Sequence, residues 1–189
     1  MQTTPDLIAF VVLGIPSPGG SKSAFRHRHT NKIVVIDAGG AKTKRWRTAV
    51  ASAAREAMDG CEFIAAPIGL IVEFRMPRPK NHYLTNGDLR RGAPWVPIVR
   101  PDLTKLLRST EDALTGIVFH DDAAICEQNI TRSYASDGHT GARISVFHVS
   151  CKNGTGKTQE NFNDFVAETP SLREILALDK ERKRIAVGK

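Results

Sequence analysis

One continuous stretch, Arg100 to Asp122, constrains this chain more than any other: RPDLTKLLRSTEDALTGIVFHDD. Proline and then aspartate open it, the pattern of a helix start. Leu103, Leu106, Leu107, Thr110, Ala113 and Leu114 fall on one side of the helical wheel, and Thr104, Arg108 and Glu111 cluster on the other. The stretch closes on two acids, Asp121 and Asp122. Such a helix must press one side into a core and leave the other facing solvent or a ligand. The ordinary uses of its polar residues are an N-cap at Asp102, an acidic turn at Asp121 and Asp122, and an ion pair of Arg108 with Glu111 or Asp112.

A chain of 189 residues carries one core of ordinary size and has no room for a second full domain. Its net charge of +7 is unevenly spread. Lys22, Arg26, Arg28, Lys32, Lys42, Lys44, Arg45 and Arg47 lie in a stretch whose only acid is Asp37, which favours a polyanionic partner, nucleic acid first. Cys61, Cys126 and Cys151 are scattered, with no CxxC spacing and no closely spaced histidine, which argues against a disulfide framework and a structural zinc site. The opening MQTTPDLIAFVVLG lacks a basic leader and a small-residue cleavage site, so it reads as a first strand and not as a signal peptide. No apolar run approaches the roughly 18 to 20 residues that cross a bilayer, and the expected compartment is the cytoplasm.

Along the chain, Leu7 to Gly14 reads as a buried strand ended by PSPGG. A loop runs through Ser21, Lys22 and Ser23 into FRHRHTNKIVVID, where Lys32 to Asp37 is a second strand, possible as a hairpin arm. His27 and His29 suggest a metal site less than they suggest a solvated, polyanion-contacting patch beside arginines. Lys42 to Met58 is a basic amphipathic helix, with Trp46, Ala49, Val50, Ala53, Ala54 and Ala57 at helical spacing, and Asp59 and Gly60 end it. Ile68 to Met76 alternates as a strand. The Pro-, Gly- and Arg-rich segment that follows is long enough to be functional or mobile. Its Lys80, Arg90, Arg91 and Arg100 suit phosphates, and Tyr83 and Trp95 suit stacking on bases, with the alternative that Trp95 pins the loop to the body. Ala124 to Tyr134 and Ala142 to Ser150 read as two strands joined by the turn SDGHTG, forming the last hairpin of the sheet. KNGTGKTQENFND reads as a linker. Its GTGKT is not a phosphate loop, because Cys151 stands where the first glycine belongs and no long apolar helix follows Thr158. From Thr169, Leu172, Ile175, Leu176 and Leu178 give a helix its apolar side, and KERKR is a solvated basic tail.

Metal-dependent phosphodiester cleavage uses a few carboxylates to hold divalent ions, and hard oxygen ligands suit Mg²⁺ or Mn²⁺. Asp102, Glu111, Asp121 and Asp122 are the candidates, with Arg108 as the cation for the scissile phosphate.

The string PDLTKLLRSTEDALTGIVFHDDAAICE resembles the core motif of the RusA family of Holliday junction resolvases, in which a PDLDNLxK element, a DALxG element and a DD pair follow at this spacing. The opening strand with its Pro-rich turn and basic loop, the helix of Trp46, the EFRMP strand and the final hairpin come in the family's order, so roughly residues 7 to 150 are covered. The resemblance implies a homodimer that cuts four-way DNA junctions using magnesium, of a kind found largely in bacteriophages and prophages. It carries the family's first essential aspartate to Asp102, that of the DD pair to Asp122 with Asp121 beside it, and the helix lysine to Arg108, which keeps the charge without the point-like ammonium geometry. Thr104 stands where the family has a second aspartate. Glu111, two turns or about 10.5 Å along the helix, restores that charge only if the metal sits further along or the side chain reaches back. The loop from Pro77 to Pro101 is longer than in the shortest members.

The expected architecture is α+β: a mixed sheet with two main helices on one face over residues 1–150, and a polar linker with a C-terminal helix over 151–189. The expected function is Mg²⁺-dependent cleavage of branched DNA by a homodimer, with no membrane. Asp102 and Asp122 bind metal, Asp121 and Glu111 assist, and Arg108 faces the phosphate. Lys22, Arg26, Arg28, Lys44, Arg45, Arg47, Lys80, Arg90, Arg91 and Arg100 contact DNA. The alternatives are a junction-binding protein that has lost cleavage, motivated by Thr104, and a basic phage assembly protein.

Overall fold

The strand expected at Ile68–Met76 forms over that range and is labelled β4 here, after β1 (Leu7–Leu13), β2 (Lys22–Arg26) and β3 (Ile33–Asp37). The computed structural model describes residues 5–20, 22–37, 40–135 and 138–149. The linker and C-terminal helix expected over 151–189, with Cys151, the GTGKT string and the KERKR run, lie outside the described residues.

Alternation of β4 sets the core. Ile68, Leu70, Val72, Phe74 and Met76 are each at most 6% exposed, and they meet Trp46, Val50, Ala54 and Met58 from helix α1 (Gly40–Met58). Leu106, Leu107, Ala113 and Leu114 from helix α2 (Leu103–Leu114) complete the same cluster. Two helices therefore share one face of the sheet, as an α+β layer arrangement requires. The helices are also joined by a buried polar contact: Trp46 Nε1 donates to Thr110 Oγ1 at 3.2 Å, and that hydroxyl donates to the Leu106 carbonyl at 3.1 Å. Helix α1 ends where Asp59 and Gly60 take positive φ values of 41° and 78°, the left-handed exit that glycine permits.

Strand pairing departs from the expected final hairpin. The sheet order is β1-β6-β4-β5, where β5 is Ile125–Tyr134 and β6 is Gly141–His148. Strand β6 lies between β1 and β4, antiparallel to both, and β5 pairs with β4 in parallel. Burial explains the insertion. Residues 141–146 are buried at six successive positions, which needs a neighbour on each side, whereas β5 keeps exposed positions along its length and takes the edge. Turn chemistry between two strands fixes that the chain turns and leaves open which strand lies alongside. On the sheet face away from the helices, Glu73 and Arg143 are register partners and form an ion pair of 2.6 Å.

The stretch read as a loop around Ser21 to Ser23 contains strand β2, which pairs antiparallel with β3 as a separate two-stranded ribbon. KSAFR has one large apolar residue, so it gives no period-2 signal. No helix among the described residues is long and apolar enough to cross a membrane.

Gly141 opens β6 with φ 157°, and a Cβ there would stand 2.0 Å from the Val12 carbonyl oxygen. Gly141→Ala is expected to lower the urea unfolding free energy by about 1–3 kcal/mol, because backbone must move to admit the methyl group. An unchanged midpoint would show that β1 gives way without cost.

Candidate active site

Parallel pairing of β4 with β5 forces the chain to cross the sheet between them, and α2 is the helix of that crossover. Its start is set by an arginine from β5. Arg132 donates to the carbonyls of Pro97 (2.8 Å), Val99 (3.2 Å) and Pro101, so the edge strand fastens the segment that ends at Asp102. A second arginine acts upstream: Arg78 donates to the Pro94 carbonyl at 2.8 Å and lies 4.3 Å over the Tyr134 ring. These arginines hold the long loop, and Trp95, at 83% exposed, does not pin it.

Asp102 occupies the N-cap position of α2 with extended backbone, yet its side chain makes no capping hydrogen bond. Its carboxylate lies 3.5 Å from Lys105 Nζ and stays half exposed. The ordinary capping use of this aspartate is thus not taken up, and the group faces a cleft.

The far end of the polar side gathers differently. Glu111 Oε1 accepts from Gln128 Nε2 at 2.6 Å, so α2 is tied to β5 there too. Burial pushes the Glu111 carboxyl above its ordinary range, and the charge of Asp122, followed by that of Asp112, pushes the same way. The Gln128 hydrogen bond and the Arg108 guanidinium oppose the rise. Glu111, Asp122, Arg108 and Gln128 are therefore one electrostatic neighbourhood. Asp121 is held below the ordinary carboxylate range, first by the Ala123 backbone N–H at 2.8 Å and then by Asp122 and His120. It caps the short 3-10 turn Asp122–Ala124, the turn role open to an acid at that position.

Thr104 is exposed on α2, about 10.5 Å along the axis from Glu111. The Glu111 carboxylate is engaged by Gln128 of β5, whereas Asp102 and Lys105 line the cleft. No group of three or more His, Cys, Asp or Glu side chains among the described residues is arranged to hold a metal ion. Among the four expected acids, Asp122 acts electrostatically on Glu111, Asp121 caps its short turn, and Asp102 lies beside Lys105. Magnesium takes one or two carboxylates and completes its shell with water and phosphate oxygens, so the oxygen donors of Asp122 and Glu111 are of the type that would suit it.

Cations reach this helix through the loop after β1. Gly19 N–H donates to the Lys105 carbonyl at 2.8 Å. A Cβ on Gly19 would meet Ser109 Cβ at 3.1 Å and an Arg47 guanidinium nitrogen at 2.8 Å, so the loop lies against α2 because this residue has no side chain. The Thr43 hydroxyl anchors the loop by donating to the Pro18 carbonyl at 2.8 Å. Between this loop, the first turns of α1 and the segment 97–102 opens a cleft of about 1070 Å³, with Lys42, Arg45, Arg100 and Lys105 among its lining.

Of the expected DNA contacts, Arg28, Lys44, Arg45, Lys80, Arg90, Arg91 and Arg100 are exposed. Arg26 is exposed and donates to Asn31 Oδ1 at 3.2 Å, and Arg90 donates to the Tyr83 carbonyl at 3.0 Å. Lys22 lies on β2 opposite Asp37. Arg47 is committed elsewhere: it pairs with Asp112 at 2.5 Å and donates to Ser109, joining α1 to α2. His27 and His29 stand with ring centroids 6.0 Å apart beyond β2, and His27 Nδ1 is engaged by Thr30. Sequence reasoning missed Gln128 and Arg132. Their signal was present, since both occupy the β5 face that also carries Ile130 and Tyr134, where an apolar residue would be expected.

An α+β domain with acids at both ends of a crossover helix and exposed cations around it is suited to a polyanionic partner. The family model described as Endodeoxyribonuclease RusA matches residues 16–146, well over half of the chain. The chain belongs to the RusA endodeoxyribonuclease family. Comparison with curated proteins finds no match.

Two outcomes are expected from these contacts. Arg132→Met removes the donor shared by three carbonyls, so amide exchange over 97–103 accelerates and stability falls by about 1–3 kcal/mol. For Glu111, a folded carboxyl raised above its ordinary value of 4.5 means the native state holds the proton more tightly, so its contribution to stability falls as pH rises through that range. Glu111→Gln should therefore stabilise the protein at pH 7 and not at pH 4. The gain is expected to stay under ~1 kcal/mol because the group is part exposed and screened. Urea midpoints at the two pH values check it, and an equal effect at both would refute the assignment.

Proposed function

We propose that this protein is a magnesium-dependent endodeoxyribonuclease that cuts four-way and other branched DNA as a homodimer in the cytoplasm of a bacterium or phage-infected host. The observation that carries this reading is the Asp122 and Glu111 carboxylate pair beside Arg108, in a chain of the RusA endodeoxyribonuclease family. A four-way junction presents equivalent strands to cut, and two symmetric subunits present two equivalent sites.

Asp122 and Glu111 would hold the ion, and Asp102, free of capping duty, is a further oxygen donor at the start of the same helix. Bound magnesium would supply an activated water and charge neutralisation at the scissile phosphate. The chain's own contribution is arrangement. Gln128 fixes the Glu111 carboxylate, and Arg108 offers a guanidinium to the phosphate oxygens. Lys42, Arg45, Arg100 and Lys105 around the cleft, with Arg26 and Arg28 on the ribbon, draw the backbone in and make binding strongly salt-dependent. Asp121 acts through its turn, orienting Asp122.

A second reading, junction binding without cleavage, is favoured by Thr104 and by the lack of a three-acid cluster among the described residues. Nicking of synthetic four-way junctions in Mg²⁺ and Mn²⁺ separates the two. The nuclease reading expects cleavage by the wild type that falls about 100-fold or more in Asp122→Asn and Asp102→Asn, with junction binding held within a few-fold. Tight binding with no nicking in either metal would establish the second reading, and full activity in both variants would overturn the site assignment.

A further inference from the structure

The two tryptophans of this chain sit in opposite environments. Trp46 is 2% exposed, with its indole N–H satisfied inside the core, whereas Trp95 is 83% exposed, the most open large apolar side chain among the described residues. An aromatic ring so displayed on an irregular loop would ordinarily fold down onto the body to bury its surface. Here the backbone holds it out. The Pro94 carbonyl, one residue before Trp95, is fixed by Arg78, and the Pro97 carbonyl, two residues after, is fixed by Arg132. Both arginines belong to the sheet side of the molecule: Arg78 follows β4 and stacks on Tyr134 of β5, and Arg132 lies on β5 itself. Prolines at 94 and 97 stiffen the same four residues. Much of the ordering that a flexible loop would undergo on binding is thus already in place before any partner arrives.

The surroundings indicate what the ring meets. From Pro77 to Pro101 the only acid is Asp88, whose carboxylate accepts from Asn86, while Lys80, Arg90, Arg91 and Arg100 are exposed along the loop. A large π-surface amid exposed cations matches single-stranded nucleic acid, whose bases stack on aromatic rings while phosphates meet the cations. A protein partner seeking the apolar ring would face this positive charge. In intact duplex the bases are stacked on one another and closed to Trp95, so the ring has a partner only where bases are unpaired.

We infer that Trp95 is a stacking platform for an unpaired base at the branch point of DNA, held by the Arg78 and Arg132 clamps, and that it gives the protein preference for branched over linear duplex. This rests on the reading of branched DNA as substrate. Trp95 carries no group that can bind a metal or transfer a proton to the reacting atoms, so its effect is on recognition and reaches cleavage only through binding.

Binding of the full chain is measured in Ca²⁺, at physiological salt, to a four-way junction carrying 2-aminopurine at the branch point and to linear duplex of the same length. Trp95→Ala is expected to weaken junction binding about tenfold or more, the scale of removing one stacking aromatic, with duplex binding changed less than about twofold. Trp95→Phe should keep most of the preference, and 2-aminopurine emission should be quenched by the wild type and not by the alanine variant. Short oligo-dT provides a direct readout, since Trp46 is buried: it should quench the wild-type tryptophan emission and leave that of Trp95→Phe unchanged. Equal loss on junction and duplex, or an undiminished preference in Trp95→Ala, would overturn the inference. So would a change in sedimentation of Trp95→Ala, which would assign the ring to contact between two copies. If the wild type itself shows no preference for the junction, the substrate reading fails, and oligo-dT quenching then decides alone whether Trp95 stacks on bases.

Discussion

Parallel pairing of β4 and β5 is the constraint on which the rest depends. Two parallel neighbours cannot be joined by a tight turn, so the chain leaving Met76 must travel back over the sheet before Ile125 can begin. The long loop and α2 make that return. Because α2 covers the sheet beside α1, its apolar side is consumed by the core, and its polar side is left along the flanks. The same return delivers the chain to Asp121 and Asp122 just before β5, beside the last turns of the helix. The meeting of Glu111 with Asp122 is therefore a product of topology: residues eleven apart in sequence are joined by a crossover that ends where its strand begins.

A return of this length carries an entropic cost, and arginines offset it. A loop from Pro77 to Pro101 with no regular strand of its own exposes many backbone carbonyls, and each must find a donor or water. Arg132 serves three of them and Arg78 a fourth. Planar guanidinium groups suit this work because one side chain presents several donors in a fixed fork, which an ammonium group cannot do. Arg47 does similar service between the helices through Asp112 and Ser109. The basic balance of the chain thus has two populations, one turned outward to a polyanion and one spent on internal carbonyls and carboxylates. Net charge alone does not distinguish them.

That division marks where sequence stopped being legible. Periodic segments were readable: Ile68–Met76, the helix from Leu103, and the helix ending at Asp59 and Gly60 follow from apolar spacing and terminating residues. Strand β2 was not, because Lys22–Arg26 lacks alternation and exists through its pairing with β3. The position of β6 between β1 and β4 was also hidden, since strand neighbours are chosen by burial on both edges and the turn between β5 and β6 satisfies either arrangement. At the candidate site, the family resemblance pointed to Asp122 and Arg108 and helical position pointed to Glu111, and the three share one electrostatic neighbourhood. Gln128 and Arg132 escaped because their partners lie 17 and about 30 residues away, on a helix and a loop whose position only the crossover defines.

The displaced acid can be understood in the same terms. In a chain with aspartate at position 104, two carboxylates would share the first turn of α2, with Asp122 as a third charge. Thr104 removes one of them, and Glu111 does not return it to the same point, since it occupies the β5 flank two turns further on. What it does is shift negative charge toward Asp122. Burial and that neighbour raise the Glu111 carboxyl, so its ionised form is costly without a compensating cation, and the Gln128 hydrogen bond and Arg108 relieve only part of the cost. Strain of this kind favours the arrival of positive charge. A divalent ion would lower the energy of the ionised Glu111 carboxylate, and Asp102, half exposed beside Lys105, offers a further oxygen donor at the start of the same helix. Substitution at 104 thus leaves Glu111, held by Gln128 and beside Asp122 and Arg108, as the acid on this helix whose ionised form most favours an added cation.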